Sequence, residues 1–416
     1  MRELTNAERD WVRATLKKIE DKMVPVTERN RDIIPYTTEN GRFDNKAETE
    51  VTWWTNGFWG GEMWQLYKLT GKELFREEAI NVEELLDENL MVSEKLDHDN
   101  GFKWLPTSVI RYRQDKNEKS LNRAMLAAGN MAGRFNMAGN FIRAWNNWDN
   151  VDRRGYAIID CMMNLPLLYR ASEETTDPRF KMIAVSHADT AMKTFVREDG
   201  SVNHIVVFDP FTGEMKESLG GQGYGVGSSW TRGQSWGIYG FALSYYYTGD
   251  RKYLDTARKI ADYVLSDMPE SYLVPIDYRQ PKDVDLEDST AAAITASGLI
   301  ELAALLGSTA AGLGNKLTDE NHGHDSTAKE VLWASGRCAA GKGVSSDEGD
   351  KYLDAAIKLL KTLDEKRCSW GTDTDNILNN CAVDYHGDGH NMSIIYGDYY
   401  FIEAMMKLSG DALRIF

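Results

Sequence analysis

One acid stands in a run that otherwise has none. Asp160 sits inside GYAIIDCMMNLP (155–166), between Ile159 and Cys161. Burying a charged carboxylate in such a stretch is expensive unless it is paired or holds a proton. Desolvation raises a carboxyl's proton affinity, which suits a general acid near neutral pH. The plainer alternative is an Asp that caps a helix. Asp99, in LDHDNGFKW (96–104), lies beside a glycine and among aromatic residues. Its alternative is a solvated loop acid. Arg232, in SSWTRGQSW (228–236), is flanked by Trp230 and Trp236. An arginine there can stack on rings and still fork to a carboxylate. The alternative is a core Trp pair with a snorkelling arginine.

Other chemistries find less support. The histidines and acids of DHD (97–99), HGHD (322–325) and YHGDGH (385–390) lack a second, suitably spaced cluster, so no metal site is expected. GGQGYGVGS (220–228) is rich in glycine but does not join a strand to a helix. It reads as a turn allowing close backbone approach, not as a dinucleotide loop. Cys161 reads as a buried, inert thiol. Cys161, Cys338, Cys368 and Cys381 show no CxxC spacing, so reduced thiols and no structural zinc are expected.

The positioning elements are helices. Apolar residues recur at helical spacing, as in ERDWVRATLKKIEDKM (8–23) with Trp11, Leu16 and Ile19. SVNHIVVFDP (201–210) alone reads as a hairpin arm. One pattern repeats: an aromatic residue precedes an alanine by four positions near a helix start. The pairs are Phe75/Ala79, Phe180/Ala184, Tyr253/Ala257 and Tyr352/Ala356, with Leu121/Met125 as a weaker copy. The starts lie about 50 to 100 residues apart, which fits six helical hairpins closed in a ring. An ordinary helical bundle is the alternative. In a ring the site falls in the loops at one rim. TWWTNGFWGG (52–61), KLDHDNGFKWLPTS (95–108), RAWNNWDNVDRRGYAIID (143–160) and GGQGYGVGSSWTRGQSWG (220–237) are the loops rich in Gly, Trp and acids. Residues 307–332 read as a polar, mobile insertion, and nothing marks a domain boundary within 1–416.

The 416 residues carry a formal charge of −16, which argues against nucleic acid or an anionic membrane surface as partner. An apolar content of 42% excludes bulk disorder. No apolar run is expected to span a bilayer, and the N-terminus shows no signal core, so a cytoplasmic location is expected. The 12 Trp, 19 Tyr and 13 Phe either fill a core or line a carbohydrate cleft.

Several of these stretches resemble the unsaturated glucuronyl hydrolases, glycoside hydrolase family 88. The runs are WWTNGFWGGEMWQLY, DHDNGF, AGNFIRAWN, IIDCMMNLP, DGSVNHIV and QGYGVGSSWTRGQSWGIYGF, with NMSIIYGDYYFIEAMMKL near the C-terminus. The resemblance implies an all-α, (α/α)6 barrel. It implies release of 4,5-unsaturated glucuronic acid from the non-reducing end of lyase-generated chondroitin or hyaluronan disaccharides. The route is hydration of the C4=C5 enol ether, without the usual two-carboxylate attack at the anomeric carbon. Asp160 would be the acid/base and Asp99 the second acid. Trp54, His98, Trp145, His204, Gln222, Trp230, Arg232 and Trp236 would bind substrate, and the choice between Trp53 and Trp54 stays open. No cofactor is implied, and the chain would be a monomer or homodimer. A Ser/Lys sulfate loop found in some members is not evident in NNCAVDYHGDGHNMS (379–393). The alternatives are an unsaturated rhamnogalacturonyl hydrolase, a sugar epimerase of the same fold, or a non-catalytic glycan binder.

Overall fold

The computed structural model describes residues 1–310 and 347–416. Among them, twelve helices longer than four residues run in sequence. They are α1 (Asn6–Arg29), α2 (Phe58–Thr70), α3 (Glu73–Leu85), α4 (Asn100–Trp104, continuing through a π-helical stretch Leu105–Val109 into Ile110–Asp115) and α5 (Glu118–Gly133). Then follow α6 (Cys161–Thr175), α7 (Pro178–Thr194), α8 (Thr231–Thr248), α9 (Arg251–Asp267), α10 (Ser289–Ala310), α11 (Asp347–Lys366) and α12 (Ile395–Ser409).

Burial sorts them into two rings. In α8 every residue from Thr231 to Tyr247 is buried, and in α12 every residue from Ile395 to Lys407. In α9 only one stripe is buried, including Tyr253, Ala257, Ile260 and Val264, while Arg251, Asp255 and Lys259 face water. A helix apolar all round must be enclosed, and one with a single apolar stripe must lie outside it. The enclosed helices touch in the order α2, α4, α6, α8, α10, α12, and α12 packs back on α2. The ring therefore closes as an (α/α)6 barrel. The aromatic-to-alanine pairs mark outer helices: Phe75/Ala79, Phe180/Ala184, Tyr253/Ala257 and Tyr352/Ala356 are all buried at the starts of α3, α7, α9 and α11. Residues four apart share a helix face, so each pair seats one outer helix on the inner ring.

Two expectations need correction. The stretch Ser289–Gly307 of α10 is long and apolar enough to cross a membrane, with a mean hydropathy of 1.6, yet 89% of it is buried in the protein. Its apolarity reflects a place in the inner ring. Gly307 also belongs to α10, so the polar segment starts later than 307, and residues 311–332 lie outside the described residues.

Strands are few. The expected arm is present as β2 of an antiparallel sheet of β1 (Tyr156–Ile158), β2 (Ile205–Phe208) and β3 (Met215–Leu219), with Ile158 opposite Ile205. Two further pairs, Thr38–Glu39 with Arg42–Phe43 and Phe135–Asn136 with Phe141–Ile142, are too short to leave an alternating pattern.

One buried acid is testable. Glu62 of α2 is fully buried, and neither carboxyl oxygen has a hydrogen-bond partner. Burial, reinforced by the charge of Asp398, pushes its pKa well above the usual range. The folded protein then holds a proton there that the unfolded chain releases above about pH 4.3, so this site lowers stability as pH rises. Glu62→Gln removes that slope. Urea midpoints at pH 5 and pH 8 should differ less in the variant than in the parent; an equal difference would show Glu62 ionised in the fold.

Candidate active site

Inner helices alternate with outer ones, so all inner helices point the same way and their N-termini gather at one rim. Asp99, Asp160 and Trp230 are the N-cap residues of α4, α6 and α8. Trp54 lies just before α2, and Asp288 just before α10.

Asp160 arrives there through β1. Its neighbour Ile159 donates its N–H to the His204 carbonyl at 3.1 Å, which sets His204 opposite Asp160. His204 Nε2 stands 3.9 Å from Asp160 Oδ2. Asp160 occupies an N-cap position, but its side chain makes no capping hydrogen bond. The carboxyl is therefore not consumed by the helix, which decides against the plain capping alternative. Its side chain is 14% exposed, and the buried Oδ2 has no partner. Burial first, then the charge of Asp99, pushes its pKa up to about 7, against the pull of His98 and Arg232. Near neutrality the group can both hold and give a proton.

Asp99 is buried, not a solvated loop acid. Asn164, one turn into α6, donates from Nδ2 to Asp99 Oδ1 at 3.2 Å and to the Asp160 carbonyl at 3.1 Å. Its Oδ1 accepts the Phe102 N–H at 2.7 Å. One amide thus ties the two acid-bearing helix starts together. The fit needs Gly101, because a Cβ there would lie 2.5 Å from the Asn164 Cα. His98 Nε2 lies 3.3 Å from Asp99 Oδ2. Burial disfavours a charged imidazole, but Asp99 outweighs it and holds His98 protonated well above its ordinary range. His98 is buried and paired with Asp99, so it orients that acid. Cys161 is buried with its thiol pKa raised by burial, as expected of an inert thiol.

His204 is set differently. Its Nδ1 accepts the Gln222 N–H at 3.0 Å, so the neutral ring carries its hydrogen on Nε2, toward Asp160. Burial and then Arg232 push its pKa down to about 3, which keeps it neutral. The glycine-rich turn makes this possible: Gly221 has φ +57°, and a Cβ there would collide with the His204 ring. The Gln222 side chain donates to the Val383 carbonyl at 2.8 Å, tying the turn to the 382–390 segment.

Arg232 is buried, and both of its Nη atoms are engaged. Nη1 pairs with Asp288 Oδ2 at 2.7 Å and reaches the Ala382 carbonyl, while Nη2 reaches the Val383 carbonyl. Its guanidinium lies 4.5 Å from the Trp230 ring and 5.6 Å from that of Tyr396. The arginine does stack between rings, but it meets a carboxylate through Nη1 alone, and Nη2 goes to a backbone carbonyl. However, the second ring is Tyr396, not Trp236, and the carboxylate belongs to the protein.

The four expected ring platforms divide. Trp54 and Trp145 are half-buried at the rim. Trp54 packs at 4.9 Å from Tyr396 and 5.5 Å from Phe102, beside the Asp99 helix, whereas Trp53 turns to Tyr36. Trp230 and Trp236 are buried, and neither presents an open ring face at the rim. The Trp230 ring is 4.1 Å from His204, and Trp236 is packed between Phe102 and Tyr400 in the barrel core. Sequence reasoning missed Asn164, Tyr396 and Asp288. The first two lay inside motifs already singled out; Asp288 had a signal as the acid just before a long apolar helix. A cavity of about 790 Å³ lies elsewhere, between α1 and the C-terminal ends of α10 and α12, and contains none of these acids.

No protein-family profile matches the chain. Relatives do. An unsaturated glucuronyl hydrolase of Bacillus sp. (strain GL1) is 33% identical over 361 residues, covering 85% of this chain and 86% of that protein. An unsaturated chondroitin disaccharide hydrolase of Streptococcus pneumoniae (strain ATCC BAA-255 / R6) is 29% identical, covering 89% and 85%. The Bacillus sp. GL1 crystal structure superposes with a TM-score of 0.78 at 31% identity, over 93% of this chain and 95% of that one. The unsaturated glucuronyl hydrolase of Streptococcus agalactiae gives 0.80 at 26% identity, over 100% and 95%. A barrel with paired acids at its rim, and this likeness over most of both chains, agree: the chain belongs to the unsaturated glucuronyl hydrolase family.

Proposed function

We propose that this enzyme releases 4,5-unsaturated glucuronic acid from the non-reducing end of glycosaminoglycan disaccharides of the chondroitin or hyaluronan type, with Asp160 as general acid and base. The observation that carries the reading is a largely buried carboxyl whose Oδ2 has no partner, with His204 Nε2 at 3.9 Å and a second acid tied to it through Asn164 at the rim. Relatives support the substrate class. One is named for chondroitin disaccharides, and an Asp-to-Asn variant of the S. agalactiae enzyme is solved in complex with dGlcA-GalNAc6S.

Protonated Asp160 gives its hydrogen to C4 of the enol ether, and water adds at C5. The ionised Asp160 takes the proton that water releases. C5 then bears both the ring oxygen and a hydroxyl. Ring opening leaves a ketone at C5 and a hydroxyl on C1, and that hemiacetal collapses to an aldehyde as the second sugar departs. His204, neutral with a hydrogen on Nε2, donates toward the reacting carboxyl or water. Asp99, fixed by Asn164 and His98, grips sugar hydroxyls and raises the Asp160 pKa. Gln222 holds the glycine turn under His204, and Trp54 and Trp145 offer ring faces. Arg232 is a positioning residue, acting through Trp230 and residues 382–383. Among the described residues, the arginine nearest these acids, Arg232, is already paired with Asp288, so the substrate's own carboxylate needs another source of attraction. Its attraction comes from the gathered helix N-termini, whose partial positive charge favours anions, and from protonated His98. These local terms act against a net charge of −16.

The double bond comes from a polysaccharide lyase, so this enzyme follows one. Free thiols at Cys161, Cys368 and Cys381 are in keeping with a reducing, cytoplasmic setting.

The test is loss of the conjugated double bond's ultraviolet absorbance with a panel of unsaturated disaccharides. Turnover of chondroitin or hyaluronan pieces is expected; turnover only of unsaturated rhamnogalacturonan pieces would move the enzyme to the neighbouring activity. The pH profile follows from the sign of the Asp160 shift. The acid form prevails below about 7 and is lost above it. The kcat/KM should therefore fall tenfold per pH unit on the alkaline side, and a flat profile to pH 9 would remove Asp160 as the acid.

A further inference from the structure

Beyond the acids, the rim carries a second feature that the reaction does not use. The segment from Arg143 to Tyr156 forms a hairpin, with Trp148 bridged to Val151 across a turn of Asp149 (φ 52°) and Asn150 (φ 56°). Both turn residues adopt left-handed backbone, which Asp and Asn tolerate and which a tight two-residue hairpin requires. The turn holds Trp148 out from the body, 45% exposed. The Arg153 guanidinium stacks on one face of that ring at 3.6 Å, and Trp145 lies 5.3 Å away on the inner side.

The charges are the telling part. Arg143 Nη2 and the Arg153 N–H both donate to Asn147 Oδ1, each at 2.9 Å. Arg153 also reaches the Trp148 carbonyl. Neither guanidinium has a carboxylate within ion-pairing distance among the described residues, and Arg143 Nε is buried without a partner. Adjacent Arg154, by contrast, forks to Asp152. In a protein of charge −16, two arginines without a direct ion pair beside an exposed indole are arranged for an anion with a ring, although Asp152 of the same hairpin also acts on Arg143.

The hairpin is continuous with the active site. The Ala144 N–H bonds the Tyr156 carbonyl, and the Ala144 carbonyl accepts the His98 N–H. Tyr156 opens β1, which runs to Ile158 and turns through Ile159 into Asp160. Trp148 is the more exposed of the Trp145–Trp148 pair, so the tip of the hairpin lies outward of Trp145 on the same rim.

We infer that Trp148, Arg143 and Arg153 form an outer subsite for an anionic sugar of the departing chain, one that a tetrasaccharide reaches and a disaccharide does not. This rests on the proposed glycosidase reading. In a chain alternating uronate with hexosamine, the anion two residues beyond the scissile bond is the next uronate. Its ring would lie on the indole and its carboxylate on the arginines.

The experiment compares unsaturated hyaluronan disaccharide and tetrasaccharide as substrates of the parent, Trp148→Ala and Arg153→Gln. Loss of one stacking or cation contact of this kind is expected to raise the tetrasaccharide KM by about 3- to 10-fold. Disaccharide kinetics should stay unchanged. Equal effects on both substrates, or none on the tetrasaccharide, would overturn the subsite. An absence of parent turnover on either substrate would instead overturn the glycosidase reading. Calorimetric titration with the same two oligosaccharides then reads the hairpin without turnover, and the variants must weaken the longer one alone. A sulfated chondroitin tetrasaccharide separates the two anions. Tighter binding than its unsulfated counterpart assigns the arginines to sulfate, and equal binding assigns them to carboxylate.

Discussion

Asp160→Asn should fold as the parent does and turn over unsaturated disaccharides about 10²–10⁴-fold more slowly, the range a positioned general acid–base supplies. The fold should survive because the side chain caps nothing and its Oδ2 has no partner. An amide has nearly the same shape and cannot give a proton at neutral pH. The variant also removes a cost. At pH 7 and above the parent must hold a charge, or keep its proton, in a site that pushes the pKa to about 7. A neutral amide has no such slope, so Asp160→Asn should gain stability relative to the parent as pH rises from about 4 to 7. Two measurements check this: single-substrate rates followed by ultraviolet absorbance, and urea midpoints at two pH values. A variant that keeps more than a tenth of parent kcat would take Asp160 out of the chemistry.

Asp288→Ala carries the second large effect, in stability. Asp288 is fully buried and pairs with Arg232, itself 1% exposed. Asp288 Oδ1 also accepts the Thr290 N–H at 3.0 Å at the start of α10. Removing one partner of a buried pair leaves the other charge uncompensated and costs about 3–5 kcal/mol. The loss should appear as a lower urea midpoint. It should also spread to activity, because Arg232 holds the Ala382 and Val383 carbonyls and supports the Trp230 ring against His204. Unchanged stability with a raised KM would mean that Arg232 reaches the substrate carboxylate directly. The contrast matters for reading mutants at this position: a kinetic defect in an Arg232 variant is first a folding defect.

The difference between the two residues shows how far a sequence carries. Asp160 announced itself because its neighbours in the chain are apolar, and neighbours in the chain are visible. The outer helices announced themselves through aromatic and alanine residues four apart, since that spacing alone puts them on one face. The rim loops stood out because Gly, Trp and acids cluster within single segments. Arg232 misled because its flanking tryptophans suggested a platform. Its true partners, Asp288 and Tyr396, lie far along the chain. Likewise α10 has the apolarity of a membrane span, and only the ring around it explains why.

Local composition and spacing by themselves determined the helical class and singled out the acid at position 160 as a candidate, because each depends on residues within a turn or two of one another, while its role as acid and base came from the resemblance. The tertiary structure decided which rings remain open to a sugar, which cations are already paired, and that the acids sit together at the N-terminal rim. Those properties belong to neighbours brought close by ring closure. Desolvation and charge pairing, which set proton affinity and free binding capacity, exist only once that closure has occurred.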